Sequence, residues 1–330
     1  MRTMLLAGAF ALIGTAALAQ PAATTPSPAT ATSAAPLPAQ PSIFIRNGKL
    51  YTVGAGTIAN GDIIIQGGKI AAIGPNLTPP DGAAVIDAKG KPVTPGLMAS
   101  MTQLGIEEIE LVAESNDTSA NQNYDTAAFD VADAINPDST LIPVARIAGV
   151  TRSLTAPEDG NGVFFGQAAI IHLGKGPDIL VKRHAGMLVK LIPTGGKRES
   201  DTRPDLWAKF RETLDDAREY WAQRGGYHKP GGARDMRTFR IDLDALGPVI
   251  RGEEPLIVHV ERASDIRNVV EYAQANKLKL IITGGDEAWK VAPLLAAARV
   301  PVIVDSEHNL PETFSDIGAT LKNAALLDKA

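Results

Sequence analysis

His259 and Glu261 stand two residues apart on an apolar run, and their types suit metal chemistry. Pro255-Leu256-Ile257-Val258-His259-Val260 reads as a strand, and alternate residues on a strand share a face, so imidazole and carboxylate project together. A second predicted strand, Val302-Ile303-Val304, is followed by Asp305, Glu307 and His308. If both strands belong to one barrel, these groups meet at one rim. His259, with Glu261, Asp305 and His308 beside it, is then the candidate ligand set for a divalent metal. Taken alone, His259 reads as a hydrogen-bonded histidine, and acids in a loop after a strand read as solvated groups or helix caps.

Other polar residues carry less. Glu107, Glu108 and Glu110 could bring carboxylates to a rim, but they read first as a solvated face. His172, His184 and His228 lack a partner at ligand spacing and receive no role. Gly195-Gly196-Lys197 lacks the wider spacing of a phosphate-binding loop. No Gly-x-Ser-x-Gly elbow occurs. No residue is therefore assigned a catalytic or cofactor-binding role. The chain has no cysteine, which excludes disulfides and thiolate metal sites.

The elements that would position these groups fall into two styles. From Ile43 to Val93, short β-branched runs are separated by Asn47-Gly48, Asn60-Gly61 and Gly67-Gly68, which predicts a small antiparallel sheet. After Pro95, strands alternate with helices. Predicted helices cover 132–148 (interrupted near Pro137), 205–224, 240–251, 264–276, 286–298 and 316–330. Predicted strands cover 149–154, 168–173, 187–191, 255–260, 278–283 and 301–304. Apolar strands alternating with amphipathic helices indicate a parallel sheet covered by helices, which a (β/α) barrel and a doubly wound sheet satisfy equally.

With 330 residues and 45% hydrophobic composition, the chain can bury one large core or two smaller ones. Its beginning reads as a signal peptide, 1–19: Arg2, an apolar run from Met4 to Ala16, and a small-x-small site at Ala17-Leu18-Ala19. That run is shorter than the ~20 residues of a membrane span. We therefore expect an exported, periplasmic protein with no membrane span once the signal is removed. Residues 20–42 follow as a Pro/Ala/Thr linker too poor in apolar surface to order itself. Loss of Arg2 moves the formal charge from −5 to −6, and no basic patch favours a nucleic-acid partner.

Three segments carry a family resemblance: Ile45-Arg46-Asn47-Gly48-Lys49-Leu50-Tyr51, Gly67-Gly68-Lys69-Ile70-Ala71-Ala72-Ile73-Gly74, and the run from Asp87 to Leu97 through Pro92-Val93-Thr94-Pro95-Gly96. With Gly149-Val150-Thr151 and His259 in its strand, they resemble the amidohydrolase superfamily, in particular its imidazolonepropionase-like branch. The resemblance implies an α/β fold: the N-terminal half of a small β-sandwich, 43–94, then an incomplete, distorted TIM-like (β/α) barrel, 95–330. It also implies a zinc or other divalent ion at the strand ends, activating water against non-peptide C–N bonds.

Carried over residue by residue, the family's first two histidines fall on Met101 and Gln103. A thioether and a carboxamide are poor zinc ligands. The barrel-strand histidine falls on His259, and Lys190 loosely matches a bridging lysine. Thr283-Gly284-Gly285 stands where the next histidine should be, and the final aspartate has no match. The resemblance thus implies a degenerate metal site with impaired hydrolysis, in a chain that reads as C-terminally truncated. Two alternatives stay open: an active hydrolase with a metal site rebuilt around His259, or a binding or assembly subunit completed by a partner chain. The partners implied are a small-molecule substrate in an active protein, and a second copy or a complementing chain in an assembly.

Overall fold

The computed structural model describes residues 41–120, 126–158, 160, 162–193, 202–223 and 236–330. The signal peptide, nearly all of the linker, Gly195-Gly196-Lys197 and His228 lie outside these residues. The chain divides into two units at the step from Val93 to Thr94.

In the first unit, β1 (Ile43–Tyr51), β2 (Thr57–Gln66) and β3 (Lys69–Gly74) form an antiparallel meander. β4 (Ala84–Asp87) and β5 (Pro92–Val93) then pair with β1 in parallel. The sheet is therefore mixed, not antiparallel throughout as the turn dipeptides suggested. Local turn signals report hairpins well, whereas β4 reaches β1 through a longer connection without such a signature. Asn47, with a positive φ of 56°, is seated by Asp62, whose carboxylate accepts hydrogen bonds from the Asn47 and Leu77 amides, both at 3.0 Å. Phe44, Leu50 and Ile63 are buried, while Ile70, Ile73, Val85 and Ile86 are exposed.

The second unit is built on a seven-stranded sheet in the order β12-β11-β10-β9-β8-β7-β6. Its strands are β6 (Leu97–Thr102), β7 (Val150–Thr155), β8 (Phe164–His172), β9 (Leu180–Lys190), β10 (Leu256–Val260), β11 (Leu280–Gly284) and β12 (Val302–Ile303). All pair in parallel except β8, which runs antiparallel to both β7 and β9. Among the described residues no pairing joins β12 to β6, so this is an incomplete, distorted TIM-like barrel.

Strand alternation sorts the side chains. Leu256, Val258 and Val260 join Met187, Val189, Leu280 and Ile282 in the main core, against the helices. The helical side of that core comes mainly from the helix Arg203–Ala222, with Leu206, Phe210, Leu214 and Ala217, and from the helix Ala263–Ala275, with Ile266, Val269 and Val270. Phe210 stacks on Phe164 with ring centroids 5.7 Å apart. Ile257 instead belongs to a second cluster on the opposite face of the sheet, with Leu154, Ala156, Phe165, Ala168 and Leu188. His259 shares the alternation of Ile257, so it is turned to that inner face.

Several predicted helices are shorter than expected. The 132–148 prediction resolves into a single 3₁₀ turn at Val131–Asp133 and a helix at Leu141–Ile147. The 240–251 prediction is broken at Gly247-Pro248 into Arg240–Ala245 and Gly247–Ile250. The 286–298 prediction holds a 3₁₀ segment, Ala288–Val291, before the helix Ala292–Ala298. The 316–330 prediction retains only Asn323–Lys329.

Candidate functional site

The C-terminal ends of the parallel strands form one rim. On β6, the pairing with β7 slips between Ala99 and Thr102, and Met101 adopts a left-handed φ of 56°. This bulge turns the Met101 side chain onto the inner apolar cluster around Leu154, Phe165 and Leu188. Thr102 exchanges a hydroxyl hydrogen bond with Ser153 at 2.5 Å. The carbonyl of Gln103 accepts the Ile106 and Glu107 amides, which starts the following turn. Met101 and His259 line a common cavity of only about 50 Å³, together with Glu158, Phe165, Lys190 and Thr283. The Lys190 ammonium lies 5.7 Å from the centre of the Phe165 ring.

His259 is committed elsewhere. Its Nε2 lies 2.7 Å from Glu261 Oε1, and Glu261 Oε2 accepts the Asp286 amide at 2.9 Å. Glu261 thus ties the end of β10 to the residue just past β11. Gly284 makes room for it: a Cβ there would stand 2.2 Å from Glu261 Oε1, and the backbone φ is +77°. The Thr283-Gly284-Gly285 segment, which replaces an expected ligand, therefore serves to seat a carboxylate.

Beyond β11 lies a second arrangement. Asp286 Oδ2 is 2.9 Å from His308 Nδ1, and His308 Nε2 is 3.8 Å from Asp316 Oδ2. Burial and the neighbouring Glu261 carboxylate push Asp286 up to about 6, against the opposing pull of His308. Burial alone would lower His308, but Asp286, its hydrogen bond to the Leu310 carbonyl and Asp316 raise it overall. Burial alone would raise Asp316, but bonds from the Glu312 and Thr313 amides and the Thr313 hydroxyl hold it below the usual carboxylate value. His259, Glu261, Asp286, His308 and Asp316 all line one cavity of about 720 Å³, along with Lys190 and Arg203.

Of the residues singled out in the sequence, His259, Glu261 and His308 converge on this cavity. Asp305 does not: it is exposed, and its carboxylate accepts the Glu307 amide at 2.9 Å. Glu107 accepts the Asn116 side-chain amide, and burial with the nearby Glu158 and Glu110 charges raises it. Glu108 secures the Thr140 backbone and hydroxyl, while Glu110 is exposed. His172 braces a turn through the Gly174 amide and the Asp178 carbonyl, and His184 pairs with Asp130 at 3.0 Å. Sequence reasoning missed Asp286 and Asp316. Asp286 had a local signal, an acid directly after a strand-ending glycine pair. Asp316 had none, since only the folded chain brings it to His308.

The donors at the positions implied by resemblance do not fit a catalytic divalent ion. They are a packed thioether, a carboxamide, one imidazole already bonded to a carboxylate, and a Thr-Gly-Gly turn.

No family model matches the sequence. The chain is similar to the amidohydrolase tasK of Hapsidospora irregularis, 22% identical over 242 residues, covering 64% of this chain and 24% of that protein. It is also similar to the dihydroorotase of Thermoanaerobacter sp. (strain X514), 39% identical over 89 residues, covering 26% of this chain and 20% of that one. The matched stretches thus span about a quarter or less of these curated relatives. Among solved structures, an amidohydrolase from Thermotoga maritima MSB8 superimposes with a TM-score of 0.75 at 23% identity, covering 87% of this chain and 76% of that one, and shows the shared fold. The chain is a divergent, partial relative of the amidohydrolase superfamily.

Proposed function

We propose that this chain retains the scaffold of a metal-dependent hydrolase of non-peptide C–N bonds but has a degenerate metal centre and impaired hydrolysis. The observation that carries this reading is Met101. Its side chain is packed among Leu154, Phe165 and Leu188 and lines the same small cavity as His259, where a second imidazole would be needed. A lone imidazole bonded to Glu261 offers one ligand where a catalytic zinc takes three. The test is an assay of the purified chain with added zinc or manganese against cyclic amides, including dihydroorotate and hydantoins. The expected result is no metal-dependent turnover above background. Robust turnover that His259→Ala abolishes would replace this reading with that of an active hydrolase rebuilt around His259.

A specific observation favours a second reading, a binding or assembly subunit. In the first unit Ile73 and Ile86 lie in one cross-strand row through Ile63 and Ile45, with Ile70 on the same face, and all three are exposed, an apolar surface of the kind that a partner chain or second copy would cover. Light scattering after size exclusion tests it. A monodisperse monomer across a wide concentration range would count against any required partner.

A further inference from the structure

One ligand atom from each of Asp286, His308 and Asp316 lies within 4.8 Å of the other two. The three residues come from separate places: the step after β11, the loop after β12, and the turn that Asp316 itself organises. Donor atoms bound tetrahedrally to one zinc ion, each ~2.1 Å from it, stand about 3.4 Å apart, so a contraction of at most ~1.4 Å would close the set.

Two independent features point to a cation. The first is charge. Asp286 and Asp316 are 5% and 4% exposed, and among the described residues neither pairs with a lysine or arginine. Arg203, the guanidinium on the same cavity, is taken by Asp265 and Ser315. Two buried carboxylates therefore share a single imidazole, with Glu261 adjacent, and buried charge is ordinarily either paired or metal-bound. The second is ring orientation. His308 Nε2 donates to the Leu310 carbonyl at 2.8 Å, which leaves Nδ1, 2.9 Å from Asp286 Oδ2, as the nitrogen that faces the carboxylate and would take an ion in place of its own proton. A backbone carbonyl holding the far nitrogen is the usual support of a metal-ligating histidine.

We propose that Asp286, His308 and Asp316 form a divalent-cation site. It uses none of the positions at which the resemblance would place a metal. One nitrogen and two oxygen donors, with no sulfur, suit zinc or manganese and disfavour copper(I). Three protein ligands leave the remaining coordination open to the 720 Å³ cavity, where a water or an anionic group would complete it. The site does not depend on the reading of impaired hydrolysis, because an ion can be held here by a chain that turns nothing over.

The experiment strips the whole chain of metal, titrates it with zinc chloride by calorimetry, and separately follows the visible spectrum during cobalt(II) addition. Expected are one equivalent bound, cobalt bands that saturate at that ratio, and at least tenfold weaker binding in His308→Gln and Asp286→Asn. Asp305→Ala and His259→Gln should bind as the parent does. Absence of saturable binding to the parent chain overturns the proposal without any variant. So does binding undiminished in His308→Gln, or binding lost in His259→Gln instead. Folding of each variant is checked by circular dichroism, and Asp286→Asn keeps size and shape should His308→Gln unfold. Binding without turnover leaves both proposals standing, whereas metal-dependent turnover with this site intact removes only the impaired-hydrolase reading.

Discussion

Along β6 the side chain shared with the His259 cavity is a thioether packed among leucines and a phenylalanine. Past β11 and β12 the groups on the larger cavity are two carboxylates and an imidazole. Both regions sit on the same rim and both border His259, yet one is stabilised by packing and the other by mutual neutralisation. The apolar side gains from dispersion and water exclusion, and it needs no partner. The polar side bears a desolvation cost that only hydrogen bonds and opposite charge offset. A strand-end rim can thus be filled by a packed hydrophobe on one flank and stay polar on the other within one fold.

The contrast is broken most easily by deleting bulk on the packed side. Leu188→Ala, in the same inner cluster as Met101 and 5% exposed, should cost about 2–5 kcal/mol in urea denaturation. Glu312→Gln on the polar side should change stability by less than about 0.5 kcal/mol. Equal effects would mean that the two flanks do not differ as described.

A carboxylate outside the rim sharpens the value of partners. Glu254 is 3% exposed, and neither of its oxygens has a hydrogen-bond partner among the described residues. Burial pushes it up to about 7, with Lys182 pulling down and Asp130 pushing up. Because the folded state holds the proton more tightly, its contribution is fully present below about 4.5 and is lost as pH rises through about 7. Glu254→Met should therefore stabilise the chain at pH 8, by at most roughly 3 kcal/mol at ~1.4 per pKa unit, and far less at pH 5. Denaturation at the two pH values checks this, and a pH-independent difference would refute it.

Gly284→Ala tests the Glu261 clamp. The new methyl would collide with Glu261 Oε1 in a left-handed backbone, at an expected cost of about 1–3 kcal/mol. The His259 ring signals should shift in the NMR spectrum as its partner moves; unshifted signals would show that the clamp is not needed to hold the ring. The smallest effect is expected at Asp305→Ala, within about 0.5 kcal/mol in thermal melts, because that carboxylate is exposed and accepts the neighbouring Glu307 amide.

The sequence made the stretch from Pro255 to Val304 readable because its strands and helices repeat local periods: Leu256, Val258 and Val260 alternate, and Ile266, Val269 and Val270 recur at helical spacing. Strand direction was not readable. The run from Ala168 to Leu173 is apolar whichever way it points, and only the tight Gly174-Lys175-Gly176-Pro177 connection marks the reversal between β8 and β9. His259 and Glu261 were found because a strand of period two puts both on one face. His308 emerged as a loop residue, but its two partners depend on how separate segments close over the cavity. No spacing rule links Asp286 to Asp316 across thirty positions of chain.

The reversed β8 has a consequence for how this fold tolerates change. Between β7 and β9 the mouth is bordered by the turn that leads into β8, not by the tip of an outgoing strand, and Pro157, Glu158 and Phe165 stand on the small cavity there. Insertions or deletions beside Pro157 and Glu158 would reshape that side of the small cavity while the paired strands kept their register, so such a scaffold can diversify there.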